Sequence, residues 1–189
     1  MEEFLAMLNA IRPLSPELME HLYKMLKEET IRRNHLLIKE GVVNDRFYFV
    51  AYGFVRCFYR YKGREITKWV FRPGDVIAST WSFRFQRLGK ENMVALSPCR
   101  VISSTFPKLE QTYLTFPEFE RHGRIVTQRY SSLWYSILDG IRMKTAKERV
   151  GFLLDEFPDL VQDIPTKHLA SVIDLDKTTF VKIRTQLRK

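Results

Sequence analysis

The chain has 189 residues, 45% of them hydrophobic and 28% charged, with a formal net charge of +9 at pH 7. These values describe a folded chain long enough to bury a sizeable core, more readily as two small domains than one, and they exclude a disordered or low-complexity chain. No apolar run approaches the ~20 residues needed to cross a bilayer, and Met1-Glu-Glu-Phe4 is acidic rather than a basic signal region, so a soluble cytoplasmic protein without a membrane partner is expected.

Residues 2–29 carry two amphipathic helical stretches divided at Pro13-Leu-Ser-Pro16, where Ser15 before Pro16 has the form of an N-cap with proline at the first helical position. From Arg32 the pattern changes to short strands: Leu36–Ile38, Arg46–Tyr52, Phe54–Tyr61, Glu65–Phe71, Val76–Ala78, Asn92–Leu96 and Arg100–Ser104. Breaks at Glu40-Gly41, Tyr52-Gly53, Lys62-Gly63 and Pro73-Gly74 space them at roughly 8–12 residues, as in an antiparallel barrel or jelly roll. Arg56, Arg60, Arg64, Lys68 and Arg72 recur at mostly even spacing, as a solvated basic sheet face or an anion contact would.

A long helix is expected over 118–144. Phe119, Gly123, Val126, Tyr130, Leu133 and Ile137 recur at steps of four and three, a coiled-coil-like seam that points to dimerisation or to one wide core face. Trp134, Leu138 and Ile141 form a second stripe beside it. With two stripes, one face can take the barrel and the other a partner. Thr145-Ala-Lys-Glu148 is a capping box ahead of Val150-Gly-Phe-Leu-Leu154, so a boundary falls near 144–145 and that next helix stops at Phe157-Pro158.

The chain ends in a helix-turn-helix pattern whose first helix is expected to be capped by Ile164-Pro165-Thr166. Leu169, Val172 and Ile173 form one apolar face, Phe180, Ile183 and Leu187 a second, and Asp174-Leu-Asp176 leaves room only for a tight turn. From Lys177 onward there are five basic residues and no acid. Helix pairs of this spacing also serve as plain packing units, and the basic excess lies mostly elsewhere: residues 145–189 hold eight Lys/Arg and seven Asp/Glu, a net of +1 out of +9. The overall reading is an α+β chain of three parts: a barrel domain over 1–117, a connecting helix over 118–144 and a helical domain over 145–189.

Catalytic chemistry finds little support. Four scattered histidines do not make a barrel metal cluster, two cysteines cannot hold an iron–sulfur cluster, and no nucleophile elbow, P-loop or carboxylate pair is visible. No enzyme, metal or cofactor is expected, and Cys57 and Cys99 read as buried free thiols.

Taken together, Leu37-Ile-Lys-Glu-Gly41, Phe47-Tyr-Phe-Val50, Gly53-Phe-Val-Arg56, Gly63-Arg-Glu-Ile-Thr67, Pro73-Gly-Asp75, Phe116-Pro117, Lys147-Glu-Arg-Val150 and the terminal helix pair resemble, in order and spacing, the Crp/Fnr family of transcription regulators. The resemblance implies a cyclic-nucleotide-binding-like barrel, a dimerising helix with Phe119, Gly123, Val126, Tyr130, Leu133 and Ile137 at its interface, and a DNA-binding domain. The partners it implies are double-stranded DNA, a second copy of the chain, RNA polymerase and a small-molecule effector that the sequence does not identify. The effector pocket would be drawn from Ser79, Lys90, Asn92, Tyr130, Trp134 and Tyr135. The family's nucleotide-gripping residues are replaced here: Ala78-Ser79 stands for its Gly-Glu pair, no arginine occurs in Gly89-Lys-Glu-Asn92, and Trp134-Tyr135 would fill the purine's space. Control by cyclic AMP is therefore not expected.

On the same resemblance, the recognition helix begins with Asp176 as cap and Lys177-Thr178-Thr179 as first turn, with Lys182 as a further base reader. Lysine reads guanine without arginine's bidentate fork, so an operator unlike the family's usual one is expected. Thr166, Thr179, Arg184 and Arg188 are the candidate phosphate contacts, and Lys167 is a further candidate DNA-binding residue. Asp174 holds the turn position usually given to glycine, and no β-hairpin wing follows the last helix, from which fewer backbone contacts are expected. A module of the same fold that binds a ligand or protein and has lost DNA binding is the alternative.

Overall fold

The computed structural model describes residues 1–142 and 145–187. Two helices open the chain, α1 (Glu2–Ile11) and α2 (Pro16–Met25). Ser15 caps α2 by accepting the Leu18 N–H at 3.3 Å, and its hydroxyl donates to Glu118 at 2.6 Å. Eight strands follow: β1 (Lys27–Ile31), β2 (Leu36–Ile38), β3 (Arg46–Tyr52), β4 (Val55–Tyr61), β5 (Arg64–Phe71), β6 (Val76–Ile77), β7 (Asn92–Ala95) and β8 (Cys99–Thr105). They form two four-stranded antiparallel sheets, β1-β8-β3-β6 and β2-β7-β4-β5, in the jelly-roll arrangement that the strand spacing predicts.

Two turns show why the strands break where they do. Lys62 and Gly63 both have positive φ (48° and 74°), as a tight β4–β5 hairpin of primed type requires. Gly53 has φ 88°, and a Cβ there would run into Pro98 O, Cys99 Sγ and Ser97 Oγ. Four elements are absent from the sequence reading. Strand β1 overlaps the end of the stretch read as helix, and α3 (Thr80–Phe85), α4 (Phe106–Thr115) and α7 (Pro158–Asp163) are short helices.

Helix α5 spans Glu118–Arg142; residues 143 and 144, included in the predicted helix, lie outside the described residues. The buried face of α5 is Phe119, His122, Ile137 and Gly140, with Val126, Tyr130 and Leu133 half-buried against the chain itself. At Phe119 and Ile137 this corrects the dimer assignment, because both are buried within the chain. The Phe119–Ile137 seam is an internal seam, with Phe119 in the cluster of the N-terminal helices, Gly123 against Tyr113, and Tyr130, Leu133 and Ile137 on the barrel cluster. In the second stripe Leu138 is 44% exposed, while Trp134 and Ile141 are half-buried on the same barrel cluster.

Helix α6 (Ala146–Glu156) begins with the predicted capping box: Thr145 Oγ1 accepts the Glu148 N–H, and Glu148 accepts the Thr145 N–H at 2.8 Å. The final pair is α8 (Thr166–Val172) and α9 (Lys177–Leu187). Pro165 occupies the N-cap of α8 without a side-chain bond, so the predicted cap there is absent and Thr166 is the first helical residue. The C-terminal helices share one continuous apolar cluster with the barrel. Trp69, 2% exposed, meets Phe157 (ring centroids 4.9 Å apart) and Trp134 (6.2 Å), both edge-on.

Candidate functional site

Helix α8 is held between β5 and α9. On the barrel side, the Thr67 N–H donates to Ser171 Oγ at 2.8 Å, and Arg72 pairs with Asp159 of α7 at 2.6 Å. Arg56, 6% exposed, donates to Thr67 Oγ1 and Glu65 and lies 4.3 Å from the Phe58 ring. The five-residue basic ladder is thus solvated only in part, with Arg60 and Arg64 exposed. Arg56 and Arg60 face Glu65, Lys68 meets Glu91, and Arg72 ties the barrel to the C-terminal helices. Burial, with Arg56 and then Lys167 adding to it, lowers the His168 imidazole to about 4, so it is neutral at pH 7.

The turn between α8 and α9 follows the predicted geometry. Asp174 takes φ 54°, the Leu175 N–H reaches Ala170 O at 2.9 Å, and Arg149 of α6 donates to Ile173 O at 2.7 Å. Asp176 caps α9, accepting the Thr179 N–H at 2.9 Å and the Thr179 hydroxyl at 2.6 Å. Those bonds, the hydroxyl's first, hold the Asp176 carboxyl below its ordinary value. Phe180 is fully buried and Ile183 half-buried, which fixes the roll of the helix.

Of the predicted DNA-reading residues, Lys177, Thr178 and Lys182 stand exposed on one face of α9, together with Val181, Thr185 and Gln186, which the sequence reading did not single out. Three others are engaged elsewhere. Asp176 and Thr179 bond each other, and Arg184 lies half-buried over the Phe180 ring. Lys167 is exposed and Thr166 partly so, at the start of α8. Arg188 lies outside the described residues.

A cleft of about 1080 Å³ opens between the barrel and α5. Of the residues assigned to an effector pocket, Tyr130 and Trp134 line it. Tyr130 also anchors α5, accepting the Val76 N–H and donating to Asp75, whose carboxyl is pushed up by burial. The other four predicted pocket residues lie elsewhere. Ser79 is buried, with its N–H on Asn44; Asn92 is buried against Glu40; Lys90 is exposed; Tyr135 is 71% exposed on the outer side of α5. On its barrel side the cleft wall carries Lys68, Glu91 and Cys57, while Arg84, Glu110, Glu120, Arg121 and Arg124 line it from α3, α4 and α5. Lys68 donates to Glu91 at 2.8 Å, and the Cys57 thiol points at the same carboxylate oxygen at 3.5 Å. Burial opposes the charge on Lys68, but the Glu91 carboxylate outweighs it and the ammonium pKa is raised; burial and then Glu91 raise the Cys57 thiol. A β-bulge beside Cys57 inserts Lys68 between Thr67 and Trp69, a shift that strand alternation alone does not reveal.

Residues 28–115 match the family model of the cyclic nucleotide-binding domain. No curated protein matches the chain in sequence. Among solved structures, FixK2 from Bradyrhizobium japonicum is similar with a TM-score of 0.74 at 20% identity, over 86% of this chain and 84% of that one. The c-di-GMP responsive global regulator CLP of Xanthomonas campestris gives 0.71 at 13% identity over 92% of both chains. A CooA variant from Carboxydothermus hydrogenoformans gives 0.69 at 17% identity, over 92% of this chain and 79% of that one. The chain therefore has the fold of the Crp/Fnr-type regulators, with a barrel that matches the cyclic nucleotide-binding domain. No helix among the described residues is long and apolar enough to cross a membrane.

Proposed function

We propose, for a chain built as the Crp/Fnr-type regulators are, that it is a sequence-selective DNA-binding transcription regulator acting as a homodimer and not controlled by cyclic AMP. The observation that carries the reading is the free face of α9. Lys177, Thr178 and Lys182 stand exposed on a helix whose N-terminus is capped by Asp176 and whose roll is fixed by buried Phe180. A rigid helix with cations and hydroxyls in its first turns fits the major groove, where lysine meets guanine N7 and O6. Lys167 and Thr166, at the start of α8, are placed for phosphate. Selection from a random duplex pool should enrich one sequence with two-fold-related halves about one helical turn apart, ~34 Å. A pool that stays random after repeated rounds would defeat the reading.

For the dimer, the second stripe of α5 replaces the first. Thr127, Ser131, Trp134, Leu138 and Ile141 follow heptad steps beside the internal seam, with Thr127, Ser131 and Leu138 exposed and Trp134 and Ile141 partly packed on the barrel. Leu138→Glu should convert a dimer to a monomer by light scattering, and a wild-type monomer at micromolar concentration would remove the claim. Against cyclic AMP stands Glu91, a carboxylate 14% exposed in the cleft where a phosphate would need a donor. Isothermal titration should give no binding; micromolar affinity would overturn this part. The reading also places the protein in the cytoplasm with RNA polymerase as a further partner.

A further inference from the structure

The barrel side of the cleft beside α5 holds one largely buried charge and one that can leave, while the cleft's arginines, Arg84, Arg121 and Arg124, stand exposed on α3 and α5. Glu91 is 14% exposed, and its Oε2 accepts both from Lys68 and from the Cys57 thiol. Lys68 is 47% exposed, sits on a flexible four-carbon stem, and lies 5.5 Å from the centre of the Trp134 ring. The carboxylate is therefore the permanent feature and the ammonium its removable counter-ion. An incoming anion at this spot would have to be buried beside the Glu91 carboxylate. An incoming ammonium needs only to displace Lys68 into solvent, leaving the number of buried charges unchanged.

We propose that this cleft binds a small organic cation, an aryl- or alkyl-amine, with its ammonium on Glu91 and its apolar part against Phe71, Met93 and Trp134. Lys68 acts as a built-in competitor for the same carboxylate. Trp134 supplies a π face at the distance where a cation is attracted, and Phe71 and Met93 line the same cleft. The site has an output. Lys68 lies on β5 between Thr67, whose N–H holds Ser171 of α8, and Trp69, whose ring meets Phe157. Occupancy of the cleft is thus one residue away from the contacts that seat the reading helices. The proposal gives a ligand class to the effector cleft and rests on the regulator reading only for that output.

The test is isothermal titration of the intact protein, without DNA, using shape-matched pairs of opposite charge: phenethylamine against phenylpropionate, and tryptamine against indolepropionate. The amines should bind and the carboxylates should not. Lys68→Met, which removes the internal competitor, should tighten amine binding roughly tenfold, as expected when the competent state becomes the main one. Glu91→Gln, close to isosteric, should weaken it at least about tenfold with the circular dichroism spectrum unchanged. Carboxylates binding better than amines, amine binding unaltered by Glu91→Gln, or no amine binding even to Lys68→Met would overturn the proposal. A gel shift on the ligand-free protein bears on DNA binding alone, so the two readings fail separately.

Discussion

Trp69→Ala tests whether the barrel and the C-terminal helices are one cooperative body. The Trp69 side chain is 2% exposed and touches three parts of the fold: its own sheet through β5, Trp134 of α5 at 6.2 Å and Phe157 between α6 and α7 at 4.9 Å. Truncating a buried tryptophan costs about 3–5 kcal/mol in lost transfer energy and residual cavity. Within that sum, each of the two edge-on ring pairs accounts for about 0.5–1.5 kcal/mol. The upper half of the range is expected, because the lost neighbours lie on separate elements that cannot collapse together into the space. Urea unfolding followed by far-UV circular dichroism gives the number, with Trp81→Ala, 52% exposed, as a control expected to cost below about 1 kcal/mol. A loss below about 1 kcal/mol for Trp69→Ala would refute the shared-core argument. So would two separate transitions in the wild type.

Three further outcomes are expected. His168 is 9% exposed and titrates near 4, below the ~6.5 of an unfolded histidine, so as pH falls through that window the unfolded chain takes a proton that the folded chain refuses. Stability should therefore drop by up to about 3 kcal/mol between pH 6.5 and 4, with the loss absent at pH 7 and reduced in His168→Gln; equal slopes for both proteins in urea midpoints would contradict this. Gly53→Ala combines a positive φ with overlap against Pro98, Ser97 and Cys99, and should cost roughly 2–4 kcal/mol by thermal unfolding. Thr145→Ala removes one half of the α6 capping box and should cost about 1 kcal/mol, measured by urea unfolding, with Thr145→Ser largely restoring it.

What the sequence made legible is what local chemistry decides. Ser15-Pro16, the Thr145–Glu148 box, the glycine turns and the Asp174-Leu-Asp176 corner each depend on a few adjacent residues, and each stands where it was read except the Thr166 cap. The orientation of α5 was not legible, because both of its stripes repeat at steps of three and four and nothing local says which one meets the barrel. Strand β1 alternates exposed and half-exposed residues, KEETI, with no buried run to mark it. The basic ladder looked free because its partners Glu91 and Asp159 are 23 and 87 residues distant from Lys68 and Arg72. The cleft depends on the bulge at Lys68 and on pairing between distant strands, so its charged pair could not be placed from strand alternation.

The central claim is that α9 reads base sequence, and Lys177 tests it most directly. Affinity of wild type and Lys177→Ala should be measured by fluorescence anisotropy, at one fixed salt concentration, on the selected duplex and on a scrambled one. The account predicts a loss of roughly 1–3 kcal/mol on the selected site beyond any loss on the scrambled DNA. Equal losses on both duplexes would make Lys177 a phosphate contact and contradict the claim.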